Sequence, residues 1–170
     1  MKKIQDKQFF KVDTKILAKE LLGKWICRKI DGRIVRSQIC ETEAYLGVDD
    51  SACHTYKGKH TPKVEPMWQD GGTIYIYLCY GMHYMLNIVS EDVGVPEAVL
   101  IRAVKGAIGP GRVTKLLGVD KSLNGISIVD SDDIWLEDDL CKYTFREDKR
   151  VGINYARECD REAKLRFILE

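Results

Sequence analysis

The sequence is poor in the features that mark a metal site or a membrane protein. Zinc sites need ligands clustered at short spacings, and the cysteines of this chain form no C-x-x-C pair. We therefore expect no metal, and free, mostly buried thiols at Cys27, Cys40, Cys53, Cys79, Cys141 and Cys159. No apolar run approaches the roughly 20 residues that a membrane-spanning helix requires, so we expect no contact with a membrane.

A dominant charge sign is also missing, because 27 Lys and Arg residues nearly balance 26 Asp and Glu residues, for a net charge of +1. No apolar stretch follows the lysines of the N-terminus, which predicts a cytoplasmic protein without a secretory signal. The charge is unevenly spread: His54–Val64 contains three lysines, two histidines and no acid, whereas Asp130–Asp139 contains six acids and no base. The basic segment would suit an anionic partner, although two ordinary solvated loops explain the same charges.

The first predicted element is a helix in the segment DTKILAKELLG. Asp13 can cap this helix, Gly23 can end it, and Ile16, Leu17 and Leu21 recur at helical spacing. Strands are predicted for KWICRKI and RIVRSQICETEAY, because both are rich in β-branched and aromatic residues.

Turn signals predict two hairpins. Asp31-Gly32 joins the first two strands, and Gly81-Met82 lies near the turn between GTIYIYLCYG and HYMLNIVS. The intervening stretch, Leu46–Gly72, is rich in turn residues, with short helices expected near Asp49–His54 and after Pro62.

Further strands are predicted for EAVLIRAV and LRFIL, and a short helix for GPGRVTKLLGV. The length suits one domain over residues 1–170. Since hairpins dominate and few helices are long enough for parallel crossovers, we predict an α+β fold. Its main element would be a curved, mainly antiparallel and partly barrel-like sheet, flanked by short helices.

The stretch ICETEAYLG carries two acids inside a predicted strand. Side chains alternate between the two faces of a strand, so Glu41, Glu43 and Tyr45 share one face, with the two acids about 7 Å apart. Such a face is either solvated or reactive, and the alternation does not distinguish the two.

Three other groups could join these acids. They are the basic loop with His54, the tyrosines of the second hairpin (Tyr75, Tyr77, Tyr80 and Tyr84), and Asn87 with Arg102. Singly, each has an ordinary explanation, such as cross-strand packing or an ion pair. Together they offer aromatic walls for a flat ring, a carboxylate beside an arginine to hold water, and a basic rim for phosphates. An enzyme that acts on an extruded nucleobase requires this combination.

The motifs E-T-E-A-Y-L-G, A-x-H and Y-x-x-Y-G-M, followed by the strand L-I-R-A, resemble the alkyladenine (3-methyladenine) DNA glycosylase family. The segments LAKELLGKWICRK, GPGRVTKLLGV and RVGINYA match in the same order, so the resemblance covers almost the whole chain. It implies a monomeric, cofactor-free cytoplasmic protein, associated with the nucleoid in a bacterium. Its partner would be double-stranded DNA that contains damaged purines.

The resemblance also implies roles for individual residues. Glu43 would be the general base that activates water, and Arg102 would orient that water. The extruded purine would stack among Tyr45, His54 and Tyr77, while Asn87 would exclude guanine by a clash with its amino group. The remaining expected DNA contacts are the wedge Tyr80 with Met82 and the phosphate contacts Lys59, Thr61 and Arg112.

The chain departs from the family pattern in one internal segment and at its end. Only Ala103–Ile108 separates the L-I-R-A strand from the G-P-G helix, where family members have a longer segment, and the chain ends at RFILE. A binding module without activity is the main alternative to a glycosylase, and a small-molecule nucleosidase is a third reading. The absence of lysine from the central motifs argues against a Schiff-base lyase.

Overall fold

The computed structural model describes all 170 residues, Met1–Glu170, as a sheet of ten strands with three short helices. The helices are α1 (Thr14–Glu20), α2 (Pro110–Leu116) and α3 (Glu158–Glu162). The strands are β1 (Lys2–Lys3), β2 (Trp25–Ile30), β3 (Arg33–Tyr45), β4 (Ile74–Cys79), β5 (His83–Val89), β6 (Ala98–Val104), β7 (Ala107–Ile108), β8 (Ile134–Asp138), β9 (Phe145–Asp148) and β10 (Arg166–Leu169). None of the helices is long and apolar enough to span a bilayer.

The sheet is antiparallel throughout and curls into a half-barrel. Its main path runs β1-β8-β2-β3-β6-β5-β4, with β10 beside β3, β9 beside β10 and β7 beside β6. The long β3 pairs with β2 along its first half and with β6 along its second half. The predicted α+β fold with a curved, mainly antiparallel sheet is therefore confirmed.

Strand alternation divides the sheet into a core face and a second face. On β4, Ile74 and Ile76 belong to the main apolar core, into which α1 and α2 also pack. The intervening Tyr75 and the following Tyr77 belong instead to a smaller cluster on the opposite face, together with Cys53. The residues predicted to form a site therefore lie on the face away from the main core.

Helix α1 forms where predicted but ends at Glu20, three residues before Gly23. The Asp13 carboxylate caps the helix by accepting hydrogen bonds from the N–H groups of Lys15 and Ile16. Leu17 and Leu21 are fully buried, whereas Ile16, the third apolar residue of the predicted helical pattern, is 52% exposed. Adjacent helical residues are about 100° apart, and the i, i+4 pair Leu17 and Leu21 takes the core side.

Both hairpins form, and Gly81 and Met82 lie in the turn of the second, as predicted. Asp31 and Gly32 have φ angles of 48° and 76°, as a tight two-residue turn requires. In the second hairpin the turn also includes Tyr80, and the positive φ angles fall on Tyr80 (50°) and Gly81 (65°). The turn therefore presents Tyr80 at the tip.

Other predictions are corrected by the structure. The helix expected near Asp49–His54 is replaced by 3-10 turns at Gly47–Asp49 and Tyr56–Gly58, while the one expected after Pro62 forms at Glu65–Trp68.

The acidic segment is not a solvated loop, because Ile134–Asp138 is a sheet strand whose isoleucine and leucine are buried. All six cysteines are free, but the prediction that most are buried is wrong, since only Cys27 and Cys53 are.

Candidate active site

A cavity of about 250 Å³ opens on the second face of the sheet. Its wall combines side chains from β3, β4, β5 and β6 with the loop after β3 and the segment after β9. Seven of the residues predicted from the sequence line it: Glu43, Tyr45, His54, Tyr77, Tyr80, Asn87 and Arg102. The structure thus brings together groups that are up to 59 positions apart along the chain.

Glu43 lies at the floor of this cavity and has no exposed surface. One carboxylate oxygen accepts a hydrogen bond from the backbone N–H of Val151 (2.8 Å), and the other accepts one from the Tyr45 hydroxyl (2.9 Å). The Nε of Arg102 is 3.7 Å from the Val151-bonded oxygen. Burial raises the pKa of Glu43 even though these donors and the nearby arginines act to lower it. Such a carboxylate is a stronger proton acceptor than an exposed glutamate.

Glu41 shares the same face but has a different environment. One of its oxygens accepts hydrogen bonds from Arg102 Nε (3.1 Å) and from the guanidinium of Arg166 on β10 (2.8 Å). Glu41 is not part of the cavity wall. Arg102 is therefore closer to Glu41 than to Glu43 and lies between the two acids, where Glu41 fixes its orientation.

The aromatic wall is formed by His54 and two tyrosines of β4. His54 Nδ1 is 2.8 Å from the Tyr75 hydroxyl, and the His54 ring centre is 4.5 Å from that of Tyr77. His54 stands at the exposed edge of the cavity, but packing of its ring and the positive charge of Lys59 lower its pKa. Both effects favour the neutral form of the imidazole.

Asn87 is held by the backbone of the same hairpin. Its amide nitrogen donates to the carbonyl oxygens of Tyr75 (3.2 Å) and Met85 (3.4 Å), and the residue is only 4% exposed. The side chain therefore has little freedom to move away from a ligand in the cavity.

The predicted DNA contacts lie outside the floor of the cavity. Tyr80 is 92% exposed and Met82 71% exposed at the tip of the second hairpin, beside the cavity mouth. Lys59 and Thr61 lie in the loop between β3 and β4, and Arg112 lies in the first turn of α2. None of these last three side chains forms part of the cavity wall.

Sequence reasoning missed several residues that complete the site. Val151 and Tyr155 line the cavity, and Arg166 holds Glu41. Tyr75, named with the other hairpin tyrosines but given no role, also lines the cavity, and its alternation with Tyr77 on one strand was a usable signal. No local pattern marks Val151, which lies 108 positions from the glutamate it contacts.

The fold and the cavity define a class: an α+β protein whose pocket has flat aromatic walls above a buried carboxylate. A model of the family described as "Methylpurine-DNA glycosylase (MPG)" matches the chain in two segments, residues 8–108 and 105–170. The chain belongs to the methylpurine-DNA glycosylase family.

Three bacterial relatives have the name "Putative 3-methyladenine DNA glycosylase". The Borreliella afzelii protein is 40% identical over 177 residues, covering 97% of this chain and 95% of the relative. The Psychrobacter cryohalolentis protein is 39% identical, with 94% and 89% covered, and a Clostridium perfringens protein is 38% identical, with 96% and 94% covered.

The family match divides at the segment that was expected to be short. Its two parts meet at residues 105–108, within Ala103–Ile108. The alignment with the Clostridium perfringens protein has 194 positions, which is longer than this chain of 170 residues and therefore includes gaps in it. In the structure this segment is a tight turn in which β7 pairs back onto β6.

Proposed function

We propose that this protein is a monofunctional DNA glycosylase, with residues 1–170 acting as one domain and as a monomer. It would extrude an alkylated or deaminated purine from double-stranded DNA and hydrolyse its N-glycosidic bond, leaving an abasic site. The observation that carries this proposal is the fully buried Glu43 carboxylate at the floor of an aromatic cavity, with Arg102 Nε 3.7 Å away.

The chemistry assigned to Glu43 is general-base catalysis. A water molecule held between Glu43 and Arg102 would attack the anomeric carbon and give its proton to Glu43, while the purine leaves with the electrons of the broken bond. The sugar gains positive charge in the transition state, and a carboxylate in a water-poor site stabilises that charge. No lysine lies in the cavity wall, which supports hydrolysis over a Schiff-base route.

The cavity wall suits a flat and electron-poor ring. Tyr45, His54 and Tyr77 would enclose the purine, and the electron-rich tyrosine faces would favour a ring that alkylation has made cationic. The lowered pKa of His54 supports this role, because a neutral imidazole does not repel a cationic base. Asn87, held in place by its two backbone contacts, would reject guanine by a clash with the exocyclic amino group.

The remaining predicted residues would bind the duplex. Tyr80 would occupy the gap left by the extruded base, and Met82 would contact the adjoining base pairs, since both project from the hairpin tip. Lys59, Thr61 and Arg112 would contact phosphates and so strengthen binding without regard to sequence.

The decisive experiment measures base release from duplexes that each contain one damaged purine. Hypoxanthine, 1,N6-ethenoadenine and 7-methylguanine are tested in the presence of EDTA, with an undamaged duplex as the matched control. We expect alkali-dependent strand breaks in at least one damaged duplex and none in the control. Damage-selective binding without release would support the binding module instead, and release only from free nucleosides would support a nucleosidase.

A further inference from the structure

We propose that the buried ion pair of Arg150 and Asp50 is a positioning unit of the active site, which holds Tyr45 and the Val151 N–H so that both donate to Glu43. The proposal rests on the proposed function for its kinetic consequences. Neither residue touches the position of the reacting atoms, so their action would pass through the groups they hold.

The ion pair has a fixed, two-pronged geometry. The two terminal nitrogens of Arg150 donate to the two oxygens of Asp50, at 2.5 and 2.9 Å. The side chains are 0% and 3% exposed, respectively. A planar guanidinium bonded to both oxygens of a carboxylate leaves little freedom for either partner.

Both partners also anchor the backbone around the site. Arg150 donates to the carbonyl oxygen of Ala44, the residue between Glu43 and Tyr45, at 3.0 Å. Asp50 accepts from the N–H groups of Leu46 and Ala52, both at 3.0 Å. The pair thus joins the end of β3, the loop that follows it and the segment after β9.

These anchors determine the two donors that reach Glu43. Val151 directly follows Arg150, so fixing Arg150 against Ala44 brings the Val151 N–H to one carboxylate oxygen. The guanidinium carbon of Arg150 lies 4.8 Å from the centre of the Tyr45 ring, whose hydroxyl donates to the other oxygen. The guanidinium is therefore in a cation–π contact with that ring.

Stability alone gives little reason for such a pair. Removing two charges from water costs free energy that their mutual attraction only partly offsets, and an uncharged pair of similar size is often as stable. Orientation is what a fixed ion pair adds beyond an uncharged pair, and the groups it orients here are those that bond the catalytic carboxylate.

The test replaces the pair by Arg150→Met with Asp50→Asn, which leaves no buried charge unpaired. We expect a folded protein, shown by circular dichroism, that binds damaged duplex within about threefold of wild type. Single-turnover excision should fall at least tenfold. The acid limb of its pH profile should move to higher pH, because Glu43 loses two donors and the positive charge of Arg150, all of which favour its ionised form. The titratable and charged groups that face Glu43 are Tyr45, Tyr77, Arg102, Arg150 and Tyr155.

The matched control is the double variant Lys149→Gln/Glu162→Gln, which removes a neighbouring ion pair that is exposed. This variant should have the wild-type rate and pH profile. Wild-type rate and pH profile in the folded Arg150→Met/Asp50→Asn variant would refute the proposal. Arg150→Lys separates positioning from loss of charge, and decides alone if the double variant fails to fold, because lysine keeps the charge but cannot form the two-pronged bond. The positioning role again requires a slower rate and a shifted acid limb.

A substrate-free measurement separates this proposal from the proposed function. Carboxyl ¹³C NMR titration of Glu43 should show a higher pKa in Arg150→Lys, which keeps the positive charge, than in the wild type. The two proposals can fail separately. If the Glu43 pKa shifts as expected but the wild-type protein releases no damaged base, the proposed function is overturned and the positioning role is retained. An unchanged Glu43 titration would overturn the positioning unit.

Discussion

At the floor of the cavity, Glu43 is completely buried and bonded through both oxygens, whereas Tyr80 at the mouth is 92% exposed and makes no side-chain hydrogen bond. The floor keeps a carboxyl group out of water, where its ionised form is unfavourable unless surrounding donors compensate it. The mouth keeps an aromatic ring in water, which becomes favourable only when a partner covers it. Substitutions at the floor should therefore slow the chemical step, whereas substitutions at the mouth should weaken DNA binding.

The largest effect should follow Glu43→Gln at the floor. The amide keeps the size of the carboxylate but cannot accept a proton, so we expect single-turnover excision to fall by at least about a hundredfold. Binding to a damaged duplex, measured by fluorescence anisotropy, should be retained. Since burial raises the pKa of Glu43, its ionised form disfavours folding at neutral pH, and the variant should melt at or above the wild-type temperature.

Glu41→Gln is the comparison that sharpens this result. It makes the same chemical change two residues away, at a side chain bonded to Arg102 and Arg166 outside the cavity wall. We expect a smaller loss than for Glu43→Gln. Equal losses, or near-normal turnover of Glu43→Gln, would contradict the assignment of Glu43 as the base.

The pH dependence of excision should include the titration of Glu43 at the floor, beside that of His54 in the cavity wall. Glu43 must be ionised to accept a proton, and its pKa lies above the ordinary value of 4.5 because of burial. Excision should therefore decline as pH falls through that raised pKa, by up to about tenfold per pH unit below it. The measurement is the single-turnover rate as a function of pH, with enough protein to bind all of the DNA. A rate that stays level down to pH 4.5 would be inconsistent with Glu43 as the base.

The smallest effect should follow Tyr80→Ala at the mouth. Loss of one aromatic contact with bases costs about 1 kcal/mol at the low end, or roughly fivefold in affinity for a damaged duplex. Excision from a substrate whose target base is already unpaired should change less, because extrusion is then easier. Leu78→Ala is the control, as Leu78 is an exposed apolar residue of the same hairpin outside the cavity wall. An equal loss of rate on paired and unpaired targets would contradict the wedge role.

Local patterns predicted much of the fold and part of the site. The hairpin at Asp31-Gly32 and the bounds of β3 were predictable, because turn chemistry and β-propensity act over a few neighbouring residues. The exposure of Ile16 and the burial of Ile134 within an acidic segment were not predicted, since each depends on which neighbouring element covers the residue. Val151 and Arg150 were missed as site residues for the same reason.

The sequence by itself determined that Glu41, Glu43 and Tyr45 share one face, because side chains alternate along a strand wherever that strand lies. Tertiary structure alone decided which acid is buried. Arg102 and Arg166 arrive on β6 and β10 to bond Glu41, while the segment after β9 returns to close over Glu43. Burial and long-range hydrogen bonds depend on which distant segments pack together. Glu43 and Val151 are 108 positions apart, and no local sequence pattern indicates that they are in contact.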